Sequence, residues 1–310
     1  MKPGSRALVV SLMVGAATWM APGTAPAWAQ GAPTTAFPTP EAAADALVEA
    51  IGSRDSARVE ALVGPEFAEL LRSEGQEALD ADRERFLDAA KRARVIRPDG
   101  PDRAVIEIGL VAWPVPTPLE RGPDGWRFDG VEGVEIVRDR LVGRNELKAI
   151  EVLRAYVDAQ VEYAQEDRDG DQVLEYAQRL GSSPGTRDGL YWPAEAGAET
   201  SPFGPFLAAA GVNVESRPSD APYYGYHFRI MSRQGANAPG GAYDYVINGN
   251  MIAGFAMVAW PAQYGETGVM TFVVNQQGVV REKDMGRTTE ELGPKMRTYN
   301  PDASWHIVDD

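Results

Sequence analysis

The sequence predicts an α+β fold in two parts, each a helical stretch followed by an antiparallel sheet. Three observations predict it. Apolar residues recur at helical spacing through residues 39–93 and again through 145–164. The period drops to two in AVIEIGLVAW (104–113) and YGYHFRIMS (224–232). Short turns bearing Gly, Pro or Asp join the strand-like runs, as antiparallel hairpins require.

Taken in order, the chain opens on a processing signal. Lys2 and Arg6 give a positive start, Ala7–Ala21 is apolar but short for a bilayer span, and Ala27-Trp28-Ala29 presents small residues where a signal peptidase reads them. Residues 1–29 are therefore expected to be a signal peptide cleaved after Ala29. The protein is then periplasmic or secreted, with no membrane span left. Residues 30–38 read as an Ala/Pro/Thr linker. Thr39-Pro40-Glu41 is a helix start: a capping hydroxyl, a proline in the first turn, an acid at the positive end. Helical spacing follows through Ala43, Leu47, Ile51, Val59, Leu62 and Val63, divided at Gly52 and Gly64-Pro65, with a further helix over 80–93. Strand 104–113 comes next. A hairpin then pairs 119–121 with 126–128 about Gly122-Pro123-Asp124-Gly125. Residues 39–130 form the first domain on this reading.

The second domain, 131–310, begins with a long helix to about Glu166, interrupted near Gly143-Arg144-Asn145. Leu147, Ile150, Leu153, Val157, Val161 and Ala164 make its buried stripe. A short helix is expected over 173–180 and an irregular region to Pro222. Strands follow at 224–232, 251–260, 269–275 and 279–284, the last two joined through Gln276-Gln277-Gly278. Thr288-Thr289-Glu290-Glu291 reads as a capping box, and residues 305–308 as an edge strand.

Composition narrows the function. The 310 residues carry 30 basic and 45 acidic side chains, a formal charge of −15 spread along the chain. Nucleic acid and anionic lipid are not expected partners of such a field. There is no cysteine, hence no disulfide, thiolate zinc site, cysteine nucleophile or lipid anchor on cysteine. His227 and His306 are the two histidines, and both read as strand residues. No zinc-protease, serine-elbow or P-loop pattern occurs. The glycines of GANAPGG (235–241) precede neither a lysine nor a helix start. No catalytic residue and no cofactor-binding residue is assigned.

Two candidates remain. In EDRDGDQVLEY (166–176), Asp167, Asp169 and Asp171 alternate, Gly170 permits a bend, the Val173 carbonyl could add an oxygen and Glu175 could close a shell. Hard oxygen donors in a tight loop suit calcium. The pattern departs from an EF-hand, because the glycine precedes the third aspartate and Gln178 stands at the twelfth position. A solvated helix end is the other reading. Separately, Tyr191, Trp192, Tyr224, Trp260 and Tyr264 belong to an aromatic concentration of the kind that sugar- or peptide-binding faces use. Sheet core is the alternative there. Together these lead to an exported envelope protein that binds or assembles without catalysis, its partner an envelope protein or a glycan. A carboxylate hydrolase at the domain junction, or a small-ligand pocket in the first domain, are the alternatives.

Several stretches carry a resemblance: FPTPEAAADALVEAI, GRNELKAIEVLRAYVDAQVEYAQ, SSPGTRDGLYWP, GGAYDYVINGNMIAGFAMVAWPAQYGETGVMTFVVN and GVVREKDMG. Through them the chain resembles the uncharacterised bacterial family called domain of unknown function 2950, over nearly all of the expected mature length. That family implies no activity. Residues 37–130 also look like a small NTF2-like domain. Residues 145–285 look like the globular head of type IV pilins and pseudopilins, through Gly225-Tyr226-His227-Phe228 and through Gly265, Thr267, Gly268 and Phe272. True pilins precede the head with an apolar half-helix. Here GVEGVEIVRDRLVGRN is charged, so the resemblance implies a head without filament formation.

Overall fold

The computed structural model of the chain describes residues 34–73, 76–193, 199–209 and 221–309. The expected signal peptide lies outside them. The fold is α+β with antiparallel sheets, in two compact units that divide between Arg140 and Leu141.

The first unit begins with four helices: α1 (Pro40–Ser53), α2 (Ser56–Val63), α3 (Pro65–Ser73) and α4 (Gln76–Arg92). The Thr39 hydroxyl accepts from the Ala42 amide at 3.2 Å, so the expected cap forms. The first break comes at Arg54, whose φ is 60°, and not at Gly52, which stays helical. Asp55 then caps α2 by accepting from the Ala57 and Arg58 amides. The sheet holds β1 (Arg94–Pro98), β2 (Arg103–Ile108), β3 (Trp113–Pro114), β4 (Leu119–Gly122) and β5 (Gly125–Phe128). Its order is β1-β2-β4-β5, with β3 also on β2. Alternation in β2 buries Ala104, Ile106 and Ile108 against Leu47, Val63, Phe67 and Phe128. The β4–β5 turn is Pro123-Asp124, as its sequence predicts. Gly125 is required there, since a Cβ would stand 2.3 Å from the Phe37 carbonyl. Strand β1 was not anticipated, because RVIRP is mostly exposed and lacks alternation.

Helix α5 (Gly130–Tyr163) runs 34 residues without a break. The interruption expected near Gly143 is absent: glycine weakens a helix but does not end one whose neighbours all favour it. Val134 and Val137 pack on the first unit's core. In the second unit the buried face comprises Ala149, Ile150, Val152, Leu153, Tyr156, Ala159, Gln160 and Tyr163. The expected stripe is thus rotated, with Leu147 39% and Val161 52% exposed. Two tyrosines and a glutamine conceal it from a hydrophobicity count. Gln160 pairs with both backbone groups of Ala177, at 2.8 Å each, as a strand would.

The remaining elements are α6 (Gly204–Ala209), β6 (Tyr226–Met231), β7 (Arg233–Gln234), β8 (Tyr243–Asp244), β9 (Val246–Ile247), β10 (Asn250–Met251), β11 (Ala256–Pro261), β12 (Met270–Asn275), β13 (Arg281–Asp284), α7 (Thr289–Leu292) and β14 (His306–Ile307). The main sheet has the order β14-β13-β12-β11-β6, antiparallel throughout. All six residues of β11 are buried. Residues 225–226 and 267–268 meet. The Thr267 hydroxyl donates to the Gly225 carbonyl at 2.8 Å, and a Cβ on Gly268 would stand 2.1 Å from the Tyr226 hydroxyl. No side chain caps α7, so the expected capping box does not form. The short helix expected over 173–180 is also absent. Its backbone bonds instead to other segments: Tyr176 to Met251, Arg179 to Leu190, and Leu180 to Tyr191.

Candidate functional site

The aspartate loop follows the C-terminus of α5. Arg168, between the first two aspartates, sets its orientation. Its side chain is only 5% exposed and lies over the rings of Tyr163 and Trp192 at 5.2 and 5.3 Å. It donates to the Tyr163 carbonyl at 3.2 Å and pairs with Glu199 at 2.8 Å. A cation therefore stands at the negative end of the helix dipole, where acids alone would be unfavourable. With Arg168 turned inward, the alternating aspartates are exposed.

Their carboxylates offer one oxygen each within 4.8 Å of one another. Backbone amides fix them. Asp167 accepts from Gly170 at 2.7 Å and Gln172 at 2.8 Å, Asp169 from Asp171 at 3.3 Å, and Asp171 from Val173 at 2.8 Å. The Gln172 and Gly170 amides hold the Asp167 carboxyl below the usual carboxylate range. Gly170 and Gln172 both take positive φ, 81° and 70°. Such a set of hard, charged oxygens in a tight loop fits a calcium ion chemically. Glu175 lies outside the cluster and accepts the Met251 amide at 2.9 Å.

This contact belongs to a second attachment. The Asn250 side-chain amide donates to Asp171 at 2.6 Å and the Gln178 side-chain amide to the Gly249 carbonyl at 2.6 Å. Strands β9 and β10 form a two-residue hairpin about Asn248-Gly249, both at positive φ. Asn250 and Arg168 were missed in the sequence. The Asn-Gly pair was the available signal for the hairpin.

Tyr191 and Trp192 line a partly open cleft of about 270 Å³ with Thr200, Ser201, Leu207 and Ala208. The Trp192 indole donates to the Glu199 carbonyl at 3.2 Å. Trp260 is covered: Gly293 leaves no room for a Cβ beside it, His227 stacks on it at 5.4 Å and Arg229 lies over it at 5.1 Å. Tyr224 packs edge-on against Tyr223, and the Tyr264 hydroxyl donates to Asp284 at 3.0 Å. His306 is exposed opposite Glu282 in β14.

A second acidic group, Glu120, Asp129 and Glu132, lies in the first unit. Arg103 occupies it, binding both Glu132 oxygens at 2.5 Å, with Glu120 3.5 Å away. Asp129 caps α5 through the Glu132 amide at 2.8 Å, and burial raises its pKa. This group is a satisfied ion-pair network.

A family model described as "Protein of unknown function (DUF2950)" matches residues 34–308. The chain belongs to this family. Among the segments that mark the DUF2950 chain, SSPGTRDGLYWP leads into the aromatic cleft and VINGNM carries the hairpin tied to the aspartate loop. No curated protein and no solved structure matches the chain. Among the described residues no helix is long and apolar enough to cross a membrane.

Proposed function

We propose that the chain is an exported envelope protein that works by binding or assembly, and that calcium stabilises its aspartate loop. The convergence of the Asp167, Asp169 and Asp171 oxygens within 4.8 Å supports the calcium reading. Three carboxylates at this separation repel one another, and a divalent cation relieves that repulsion. The Asp171–Asn250 and Glu175–Met251 bonds would then pass the gain in order to the β9–β10 hairpin. The cleft beside Tyr191 is the proposed contact for an envelope protein or glycan, since it sets the half-buried Tyr191 ring beside the Thr200 hydroxyl, whereas Trp192 is a core residue with Arg168 and Arg187 over its ring. Export rests on the leader sequence, and the NTF2-like and pilin-head-like readings of the two units belong to the same proposal.

Calorimetry tests the calcium reading. Wild type should bind with a dissociation constant on the order of 10⁻⁴ to 10⁻³ M, the range of extracellular calcium modules. Asp169→Ala should abolish the heat, and millimolar calcium should raise the melting temperature of wild type only. Equal heats in the two proteins, or none in either, would return the loop to a solvated turn.

A further inference from the structure

Asn248 is the one asparagine that glycine follows directly, in VINGNM. The pair forms the two-residue turn between β9 and β10, with Ile247 opposite Asn250 and Val246 opposite Met251. Both turn residues are exposed and take positive φ, 55° and 99°, as such a hairpin requires. Asparagine tolerates this backbone and glycine adopts it freely. The same pair also sets two groups that can react with each other side by side: a side-chain carboxamide and the backbone nitrogen of the next residue. Attack of one on the other closes a five-membered ring, so no second molecule has to be brought in to form it. A Cβ on the following residue would shield that nitrogen, and glycine has none.

Reaction requires that neither group be engaged elsewhere. Among the described residues the Asn248 side chain has no hydrogen-bond partner and the Gly249 amide donates to none. Comparable pairs in this chain are occupied. The Gly170 amide, after Asp169, donates to Asp167 at 2.7 Å. The Gly189 amide, after Asp188, donates to the Ser182 hydroxyl at 3.1 Å, and Asp188 itself accepts from Ser183, Thr186 and Arg179. A carboxylate is moreover a poorer electrophile than a carboxamide. Among the other asparagines, Asn145 and Asn275 are buried, and Asn300 precedes a proline whose nitrogen carries no hydrogen. The surroundings of Asn248 give its reaction a consequence. The neighbouring Gly249 carbonyl accepts from the Gln178 side chain, and the Asn250 side chain donates to Asp171, at 2.6 Å each.

We propose that Asn248 is a self-modification site, which loses ammonia in water without an enzyme and so unfastens the β9–β10 hairpin. The Gly249 amide gives its proton to hydroxide, and its nitrogen bonds to the Asn248 side-chain carbonyl carbon. The side-chain nitrogen leaves as ammonia, taking a proton from water. Water then opens the cyclic imide at either carbonyl, giving aspartate or isoaspartate. One water is consumed and one ammonia released, with no oxidation. Isoaspartate carries the main chain through its side-chain methylene, so the turn gains an atom and the register of Ile247 with Asn250 is lost. Either product adds a carboxylate two residues from the Asn250–Asp171 bond.

The test holds the chain from Gln30 onward in mildly alkaline buffer, folded and in guanidinium. Isoelectric focusing should show the folded protein shifting to the acidic side. Peptide mapping should place the change at Asn248 as two acid isomers, one of them a substrate for isoaspartyl methyltransferase. Asn248→Gly keeps a residue that adopts positive φ and has no carboxamide, so it should not shift. Amide hydrogen exchange through residues 246–251 should be faster in converted wild type than in Asn248→Gly held for the same time. A folded protein whose Asn248 stays an amide while the unfolded chain converts overturns the proposal, since the turn then protects it. So does an equal acidic shift in Asn248→Gly, and exchange that conversion leaves unchanged refutes the unfastening.

Discussion

Asp188 accepts four bonds: from the Ser183 amide at 2.6 Å, the Ser183 and Thr186 hydroxyls at 2.8 Å, and Arg179 at 3.0 Å. Desolvation alone would raise its pKa, but these donors outweigh it and hold the carboxyl well below the ordinary range. A depressed folded-state pKa contributes stability that is present above the unfolded value, about 3.9, and lost as pH falls through the folded one. Asp188→Ala should therefore cost about 1 kcal/mol at neutral pH, a figure kept small by the exposure of the site. The difference between the two proteins should shrink below about pH 4. Urea unfolding at a series of pH values measures it, and a pH-independent difference would refute the account. At this scale the sequence exposes acids more readily than their partners. The three aspartates of the loop stand out by spacing, whereas Arg168 looks like one more surface charge until its burial is seen.

Three glycines in α5 have different reasons to be there. A Cβ on Gly130 would fall 1.7 Å from the Val63 carbonyl, and one on Gly133 would fall 2.7 Å from Thr117 and 2.9 Å from Phe67. Nothing lies within 4 Å of the position at Gly143. Gly133→Ala should destabilise by about 1–3 kcal/mol through overpacking. Gly143→Ala should stabilise by about 1 kcal/mol, as alanine does inside a helix. Thermal or urea unfolding separates the two, and destabilisation by Gly143→Ala would show that the helix needs its glycine there. Helical periodicity made α5 legible, yet its interface was misplaced. Tyr156, Gln160 and Tyr163 bury through hydrogen bonds to Ala256, Ala177 and Arg187, which periodicity of apolar residues does not register. The missing helix at 173–180 has a related cause. Its apolar spacing is satisfied by strand-like pairing with residues distant in sequence.

The buried apolar residues form two separate cores, one spanning Ala43 to Phe128 and the other Ala149 to Tyr299. Each has its own sheet and helices, so each unit is expected to unfold as its own cooperative block. Chains ending at Arg140 and starting at Leu141 should each fold on their own, as circular dichroism and thermal unfolding would show, since the division falls inside the unbroken helix α5. An unfolded fragment on either side would show that the blocks depend on each other. The α+β class was legible because strand alternation and turn chemistry agree, as in AVIEI and in the Pro123-Asp124 turn. The single strand expected over 104–113 is instead a hairpin. Gly109 takes a φ of 75°, and residues 109–112 turn the chain back so that β3 pairs with β2. Short strands such as β7 to β10 were not legible, since two-residue pairings leave no periodicity to find.

Tyr226 also has a consequence in time. Its fully buried ring abuts the backbone of Gly268, and its hydroxyl donates to the Met270 carbonyl at 2.9 Å. That backbone is held in turn: Glu146 of α5 accepts the Val269 and Met270 amides, and Asn145 donates to the Thr267 carbonyl. A half-turn of the ring needs a void that close packing does not supply. The ring can flip only when residues 267–270 draw away from the helix for a moment. Tyr226 is thus a clock for the breathing of this sheet, with each flip marking one opening.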